Sequence, residues 1–419
     1  MVRERLQLRP LTGVRGMMRD LFPRPDRTIR VPVASATGRV TVTPIHSPLT
    51  VPMTDIAARD GFAVVSSETR GASDRDPVPL KNPCRVNTGN AIPPGYDAVV
   101  MIEDITRKNG VWFTGEAVAP GEHIHPAGEE ITCGDLILPT GHLIRPCDIG
   151  ALLSYGVTAL NVQAVKVGLI PTGNEVIPAG RCPGPGQVNE SNTAVAAAWC
   201  GEAGATCTRY SIVHDDPGLL RQAIAKGIQE NDLLLISAGS SAGTRDFTAS
   251  VIADLGEVLV HGIAMKPGKP AIVGRIGGKP VIGMPGYPTA AMTVVRELAL
   301  PLLAGWGFYS LYGERVSARL TRTIQTDPGF DEYIFLTVSR AGDHCTATPL
   351  PRGAGTQMSV VRANAYLHVP PGIDDIHKGA EVGVLLTGPR ALIGESPTVP
   401  GLVPEHSVQG AVLPAKGGP

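Results

Sequence analysis

Residues 232–246 read DLLLISAGSSAGTRD, an apolar run that changes abruptly into glycine and serine and ends on a carboxylate. The apolar run predicts a strand buried in the centre of a sheet. The loop after it lets backbone N–H groups approach an anion, so a phosphate-binding loop and a plain surface turn both fit it. It matches neither the P-loop nor the G-x-G-x-x-G pattern, and the surrounding sequence has to decide.

Strand and helix patterns alternate on both sides of this stretch, between residues 166 and 305. VKVGLIPTG is an apolar run, Ser191 or Asn192 caps a helical segment, and Asp216 followed by Pro217 is typical of a helix start. This alternation predicts a parallel sheet covered by helices on both faces. Ligands in such sheets bind beyond the carboxyl ends of the strands.

The regions on either side of the α/β segment have a different sequence pattern. Residues 31–134 consist of short alternating runs broken by Pro and Gly, which predict β-structure, and a helix is expected at 147–155 after Pro146. Five further strand patterns follow Gly307 and predict a small β-domain. The expected fold class is therefore a multidomain α/β and β protein with a doubly wound α/β domain.

Composition limits the possible functions. The chain has 419 residues, 43% of them hydrophobic, and a formal net charge of −1, so several domains are expected and bulk nucleic-acid binding is not. Its seven cysteines form no C-x-x-C pair, which argues against disulfides or a zinc site and fits a reducing compartment. No signal peptide or membrane segment is recognisable, so a cytoplasmic location without membrane contact is expected.

Three more loops are expected at the edge of the sheet where SAGSSAG lies. PTGNE (171–175) places Glu175 after a strand, MKPGKP (265–270) places two lysines in a stiff turn, and MPGYP (284–288) precedes a helix. Lys266 and Lys269 would suit phosphate or an oxyanion such as molybdate. Each loop alone is compatible with a simple turn, but four at one edge favour an anion site.

The β-rich region contributes further polar turns. DGFAV begins at Asp60, Thr88 lies in NTGNAIPPGYDAVVMIED, and GEE ends at Glu130. Each of these turns is explained by a hairpin alone. Carboxylates also coordinate Mg²⁺, although the spacing of these residues does not by itself indicate a metal.

Taken in order, these motifs together with GEEI, IPTGNE and GQVNESN resemble the MoeA-type molybdopterin molybdenumtransferases, the family to which the gephyrin E domain belongs. The resemblance covers about residues 5–388. It implies a linking domain (1–35 and 135–165), a β-rich inserted domain (36–134), a molybdopterin-binding α/β domain (166–306), a C-terminal β-barrel-like domain (307–388) and a disordered tail (389–419).

The resemblance also implies an activity, Mg²⁺-dependent insertion of molybdate into adenylylated molybdopterin with release of AMP. It implies an elongated homodimer in which Asp60, Thr88 and Glu130 reach the partner's α/β domain. The catalytic residues carried over are Asp60, Thr88, Glu175, Asp246, Lys266 and Lys269. The ligand-binding residues carried over are Gly239, Ser240, Ser241, Gly243, Asp215, Asp216, Pro285, Gly286, Pro288 and Ser359. The metal ligands carried over are Glu130, Glu175 and Asp246.

Several motifs depart from the family's usual form. TGNE replaces TGDE, SAGSSAG replaces GGVS-x-G, PGYP replaces PGNP, and the arginine expected near DEYIFLTVS is missing. These departures resemble a branch in which tungstate substitutes for molybdate, which leaves a tungstate-inserting enzyme as an alternative. A non-catalytic scaffold of the same fold is a second alternative. A molybdopterin adenylyltransferase is disfavoured by the β-rich domains, although that enzyme and recipient molybdoenzymes are expected as partners.

Overall fold

A computed structural model describes residues 7–237, 247–308, 313–353 and 355–394. The N-terminal part contains two helices and a series of short strands. In chain order these are α1 (Leu11–Leu21), β1 (Thr28–Pro32), β2 (Ile45–His46), β3 (Ile56–Ala57), β4 (Gly61–Val64), β5 (Val78–Pro79), β6 (Cys84–Val86), β7 (Ala98–Met101), β8 (Ile105–Lys108), β9 (Val111–Thr114), β10 (Ile124–His125), β11 (Leu136–Leu138), α2 (Pro146–Ser154) and β12 (Ala159–Gln163).

The two sequence segments expected to form a linking domain pair with each other. Strand β1 is antiparallel to β12, and β2 is antiparallel to β11. The helix predicted over 147–155 is present as α2 and begins one residue earlier, at Pro146, and Asp148 accepts a hydrogen bond from the backbone N–H of Arg145 at 2.8 Å. Between these segments the described residues form two three-stranded antiparallel sheets, β6-β4-β7 and β5-β9-β8, and the pair β3-β10.

Strands and helices alternate over the next part of the chain. They are β13 (Lys166–Pro171), β14 (Val176–Ile177), β15 (Val188–Asn189), α3 (Asn192–Glu202), β16 (Thr206–Arg209), α4 (Pro217–Glu230), β17 (Leu233–Ser237), α5 (Thr248–Leu255), β18 (Glu257–His261), β19 (Met265–Lys266), β20 (Ile272–Ile276), β21 (Lys279–Met284), α6 (Pro288–Val294) and α7 (Leu300–Gly305). A π-helical turn, Val295–Ala299, joins the last two helices.

The stretch DLLLIS forms a central strand, as predicted. In the described part of the chain the sheet has six strands in the order β16-β13-β17-β21-β20-β18, and the first four run parallel. The expectation of a parallel sheet is wrong for β20, which is antiparallel to β21 and β18. The reason is the Gly277-Gly278 turn, whose positive φ angles of 55° and 77° suit a tight hairpin.

Helix α1 packs into the core of the α/β domain although it precedes that domain by about 145 residues. Val14, Met18 and Phe22 are each at most 2% exposed and belong to the same apolar cluster as Val167, Leu235 and other strand residues of the sheet. The Trp306 indole N–H donates to the Phe22 carbonyl at 2.9 Å. The first helix therefore covers one face of the sheet next to α7.

The C-terminal domain is a closed barrel. Its elements are β22 (Arg315–Leu320), β23 (Asp331–Ala341), β24 (His344–Pro349), α8 (Gln357–Arg362), β25 (Ala365–Val369) and β26 (Glu381–Leu386). The strands follow the order β23-β24-β22-β26-β25, and a further pairing of β25 with β23 closes the ring. All five predicted strands are present.

Two connections attach other segments to this barrel. Strand β19 of the MKPGKP motif pairs in parallel with β23, so this turn lies against the barrel. The sequence predicts a disordered tail over 389–419, but within that range Ile393 is 7% exposed and packs in the barrel core. No helix among the described residues is long and apolar enough to span a membrane.

Candidate functional site

A cavity of about 350 Å³ opens at the carboxyl ends of the parallel strands. Residues that follow β13, end β17 or follow β21 surround it, as expected for a sheet of this type. The lining residues are Pro171, Thr172, Glu175, Val176, Val188, Asn189, Glu190, Ser191, Asn192, Ser237, Gly286, Tyr287 and Pro288. Among these described lining residues there are two carboxylates and no lysine, arginine or histidine.

The turn in PTGNE brings Glu175 to this cavity. Gly173 has a φ of 135°, and a Cβ at this position would lie 2.8 Å from a Val176 methyl and 2.9 Å from Glu175 Oε2. Only glycine fits so tight a turn. The Glu175 side chain is exposed, and within the described residues its carboxylate has no hydrogen-bond partner. It is therefore free to contact a ligand or a cation.

Asn174 and Asp215 connect two loops at the edge of the sheet. The backbone N–H of Asn174 donates to Asp215 Oδ2 at 3.3 Å, and the N–H of Asp215 donates to Asn174 Oδ1 at 3.1 Å. Asp216 caps α4, accepting from the Leu219 N–H at 2.8 Å, as the sequence predicted. Asp216 is thus occupied in the helix cap, whereas Asp215 holds the TGNE turn.

Asn192 is a site residue that the sequence indicated only as a helix cap. Its amide nitrogen donates to Ser237 Oγ at 3.1 Å and to the Gly286 carbonyl at 2.8 Å, which ties α3 to the ends of β17 and β21. The residue is only 9% exposed, and its Oδ1 atom is buried without a partner among the described residues. An acceptor in this state is costly unless a ligand or water satisfies it.

The two lysines of MKPGKP face the C-terminal barrel. Lys266 Nζ lies 2.5 Å from Asp327 Oδ2 and 4.1 Å from the centre of the Phe330 ring, and Lys269 Nζ lies 5.7 Å from the same ring. The hydrogen bond from Lys266 is the main cause that lowers the pKa of Asp327. Lys266 is therefore partly neutralised by the barrel.

A second cavity, of about 320 Å³, separates the α/β domain from the barrel. Lys266 and Arg352 supply its positive charge, and Arg352 donates to the buried Glu332 carboxylate at 2.7 Å. Thr289 lines it with a hydroxyl that is buried and unpartnered among the described residues. The sequence did not single out Arg352, because a lone arginine in a Pro/Gly-rich loop gives no recognisable signal.

The MPGYP loop lines the first cavity. Gly286, Tyr287 and Pro288 contribute to that lining, whereas Pro285 is buried. Thr289, the next residue in α6, lines the second cavity, so the start of this helix lies between the two cavities.

Ser359, predicted as a ligand-binding residue, lies in α8 and is 6% exposed. Its hydroxyl donates to the Pro351 carbonyl at 2.9 Å, so it shapes the loop that carries Arg352.

The structure does not bring Asp60, Thr88 and Glu130 to these cavities within one chain. Asp60 and Thr88 hydrogen-bond to each other, and Glu130 accepts from the Tyr155 hydroxyl at 2.7 Å, which is the main cause that raises the pKa of Tyr155. Across the described residues no hydrogen bond or ion pair joins this group to the sheet edge.

The remaining predicted residues, Gly239, Ser240, Ser241, Gly243 and Asp246, lie outside the described residues. The described residues also contain no group of three or more His, Cys, Asp or Glu side chains that could hold a metal ion. Glu175 and Glu130, both predicted as metal ligands, are in separate regions of the chain, so the predicted metal site stays a prediction.

Comparisons with known proteins agree with this architecture. Three family models match along the chain: the MoeA N-terminal region (domain I and II) at residues 7–156, a probable molybdopterin binding domain at 168–305 and the MoeA C-terminal region (domain IV) at 317–387. A solved structure of the molybdopterin biosynthesis MoeA protein from Pyrococcus horikoshii is 31% identical, with a TM-score of 0.77, covering 91% of this chain and 100% of that one.

Curated relatives are similar over most of their length. A putative molybdopterin biosynthesis protein of Methanocaldococcus jannaschii is 29% identical over 85% of this chain and 91% of its own. Molybdopterin molybdenumtransferase 2 of Mycobacterium tuberculosis is 27% identical over 86% of this chain and 95% of its own.

The fold and the family matches therefore define a multidomain protein with the architecture of molybdenum cofactor biosynthesis proteins. The chain belongs to the MoeA family. The family resemblance predicted from the sequence is confirmed. The transferase class is confirmed at the level of the family, because curated relatives are named molybdopterin molybdenumtransferases.

Proposed function

We propose that the protein transfers molybdenum from molybdate to adenylylated molybdopterin and releases AMP. The observation that carries this proposal is the pair of adjoining cavities, one lined by hydrogen-bond acceptors at the sheet edge and one lined by Lys266 and Arg352 against the barrel. Two neighbouring compartments, one with the Glu175 carboxylate and one with two cationic side chains, suit a phosphate-bearing substrate held through Mg²⁺ in the first and an oxyanion in the second. Molybdate, an oxyanion, suits the cationic compartment.

In this proposal Lys266 and Arg352 attract the anionic groups, and neutralise charge that develops when the phosphoanhydride bond is broken. Water attacks a phosphorus of the phosphoanhydride, the bridging P–O bond breaks, and the products are AMP and molybdopterin with its own phosphate. The two dithiolene thiols bond to molybdenum in place of one molybdate oxygen, which leaves as water with the two thiol protons. No covalent intermediate with the protein is required. Asp327 competes for Lys266, so an incoming oxyanion replaces one anionic partner of this lysine by another.

Mg²⁺ fits the donor set at the first cavity. Glu175 offers an exposed carboxylate without a partner among the described residues, and Mg²⁺ is commonly bound by one or two carboxylates together with substrate phosphates and water. Glu175 would hold the ion, with Asp246 and Glu130 as the further predicted ligands. When bound, the ion would neutralise phosphate oxygens and polarise the scissile bond.

Asp60, Thr88 and Glu130 are proposed to act from a second copy of the chain. The observation that supports this proposal is that the three side chains are exposed. Among the described residues of their own chain, no hydrogen bond or ion pair links them to the residues that line the cavities. A homodimer in which the inserted domain of one copy faces the α/β domain of the other would complete the site. The cytoplasmic location and the adenylyltransferase and molybdoenzyme partners stay predictions from the sequence.

The test is an assay of AMP release from adenylylated molybdopterin with Mg²⁺, with and without molybdate. The expected result is AMP release that depends on the oxyanion, together with metal bound to molybdopterin. A parallel reaction with tungstate determines which oxyanion is preferred. AMP release that is equal without any oxyanion would contradict the proposal. No release by a folded dimer would also contradict it and would favour a non-catalytic scaffold.

A further inference from the structure

We infer that Arg85 binds the adenylyl phosphate of the substrate beside Asp60 and Thr88, with its guanidinium group held in place by the Phe62 ring. This inference rests on the proposed function, because the substrate and the second copy of the chain that holds it are taken from there. It adds a substrate-binding residue that the sequence motifs did not single out.

Strand pairing places Arg85 next to the DGFAV motif. In the pairing of β4 with β6, Arg85 lies directly opposite Phe62, and opposite residues of an antiparallel pair share one face of the sheet. Thr88 follows shortly after Arg85 in the chain and binds Asp60. The pKa of Asp60 is lowered first by the hydrogen bonds from Thr88, and the charge of Arg85 lowers it further. The guanidinium group is therefore close enough to act on a group bound beside Asp60.

The Phe62 ring positions the guanidinium group without neutralising it. Arg85 Cζ lies 5.4 Å from the centre of this ring. Phe62 is buried, and its ring contacts the Trp112 ring at a centre-to-centre distance of 4.7 Å, so the surface under Arg85 is well packed. A cation over an aromatic face is attracted to the ring and keeps its charge.

Most hydrogen-bond donors of Arg85 are unused. Among the described residues its side chain makes no ion pair and one hydrogen bond, a long one of 3.5 Å from Nη2 to Asn87 Oδ1. A guanidinium group has five N–H donors in a planar fork that matches two oxygens of a phosphate. Arg85 is exposed, so these donors are accessible to an anion. Its positive charge also offsets the repulsion between the Asp60 carboxylate and an incoming phosphate.

Arg107 makes the same kind of contact in the adjoining sheet. It lies opposite Trp112 in the pairing of β8 with β9, and its Cζ is 5.0 Å from the centre of the Trp112 ring. Arg107 is also exposed, but it is not among the charges that shift the pKa of Asp60. The two arginines therefore differ in their neighbours and not in how they are held. A comparison of the two separates phosphate binding from simple packing on an aromatic ring.

Calorimetric titration of AMP into the full-length protein with Mg²⁺ tests this inference. Arg85→Met retains an unbranched side chain over Phe62 but removes the charge, and it should weaken AMP binding about tenfold. Arg85→Lys keeps the charge without the planar fork and should weaken binding about threefold. Arg107→Met is the matched control and should leave it unchanged. Added salt should weaken AMP binding by the wild-type protein more than by Arg85→Met, because salt screens the charge that this variant lacks.

Three results would overturn the inference: an unchanged AMP affinity in Arg85→Met, an equal loss of affinity in Arg107→Met, or no binding of AMP by the wild-type protein. If Arg85→Met does not fold, Arg85→Gln, which also removes the charge, takes its place. The proposed function fails separately, because oxyanion-dependent AMP release is measured on the wild-type protein alone, whereas AMP affinity is measured without oxyanion and without turnover.

Discussion

Thr88 donates two hydrogen bonds to a single oxygen of Asp60, one from its backbone N–H at 2.7 Å and one from its hydroxyl at 3.1 Å. The backbone bond is the largest cause that lowers the pKa of Asp60, and the hydroxyl bond is the second. Both side chains are exposed, so this pair keeps a carboxylate ionised and oriented at a surface. That arrangement suits a group that acts on a neighbouring molecule.

Replacement of Thr88 by valine removes the hydroxyl and retains the backbone donor. The pKa of Asp60 should rise part of the way to its ordinary value, and the acid limb of the activity profile should move to higher pH, because the carboxylate becomes protonated earlier as pH falls. Carbon-detected NMR titration measures the pKa. Thr132→Val is the matched control, since Thr132 binds Asp135 in the same way and should raise only that residue's pKa. An unchanged Asp60 titration in the Thr88 variant would contradict the prediction.

Mixed dimers test whether the site is shared between two copies. Asp60→Asn and Glu175→Gln should each be inactive alone. Random dimers of the two variants should recover about a quarter of wild-type activity, because half of the dimers are mixed and each contains one intact site. AMP release after co-refolding or co-expression measures this recovery. No recovery from verified mixed dimers would show that both residues act within one chain.

The Lys266–Asp327 pair is expected to compete with the oxyanion substrate. Asp327→Asn should lower the apparent KM for molybdate about threefold, because Lys266 loses its anionic partner, and Lys266→Ala should raise it about tenfold or more. Steady-state AMP release measures both. Glu257→Gln breaks a comparable exposed pair with Arg275, at 2.6 Å, and should leave KM unchanged. A lower Tm with an unchanged KM in Asp327→Asn would assign the pair to structure alone.

Gly173→Ala should displace Glu175. The new methyl group meets Glu175 Oε2 and Val176 at less than 3 Å, and alanine is strained at a φ of 135°. We expect a loss of about 2 kcal/mol in the free energy of unfolding and a large loss of kcat. Gly201→Ala in α3 has open space and should stabilise the protein slightly. Urea denaturation and AMP release distinguish the two variants, and a fully active Gly173→Ala protein would contradict the role given to this turn.

The Asp148 cap should make the linking domain sensitive to acid. Hydrogen bonds from Arg145, above all from its side chain, hold the pKa of Asp148 far below its ordinary value. A depressed carboxyl pKa contributes stability that is present above the ordinary value of 3.8 and is lost as pH falls below it. Asp148→Asn should therefore cost about 2 kcal/mol at pH 7 and much less at pH 2. Denaturation at both pH values measures this, and a pH-independent difference would contradict the assignment.

Local signals in the sequence were sufficient for most elements. Asp216 and Pro217 marked the start of α4, Pro146 marked α2, and the apolar runs marked the central strands and the barrel strands. These features depend on residues close together in the chain, whose caps and periodicity act without the rest of the fold.

Features that depend on residues far apart in the chain could not be predicted from local sequence patterns. The antiparallel β20 depends on a hairpin within an otherwise parallel pattern, and barrel closure depends on the pairing of β25 with β23. The free oxygen of Asn192 becomes visible only when α3, β17 and β21 meet. Sequence motifs located the sheet edge, but they did not show that Lys266 already has a partner on the barrel.

The placement of α1 has a consequence for biosynthesis of the protein. A ribosome completes this helix long before Trp306, whose indole binds the Phe22 carbonyl 284 positions earlier. Met18 and Phe22 therefore stay exposed to solvent until almost the whole α/β domain has left the ribosome, because their packing partners belong to that domain. Such a high contact order slows folding and exposes a nascent chain to chaperones. An excised α/β domain that begins at residue 166 would carry an open apolar face where α1 belongs.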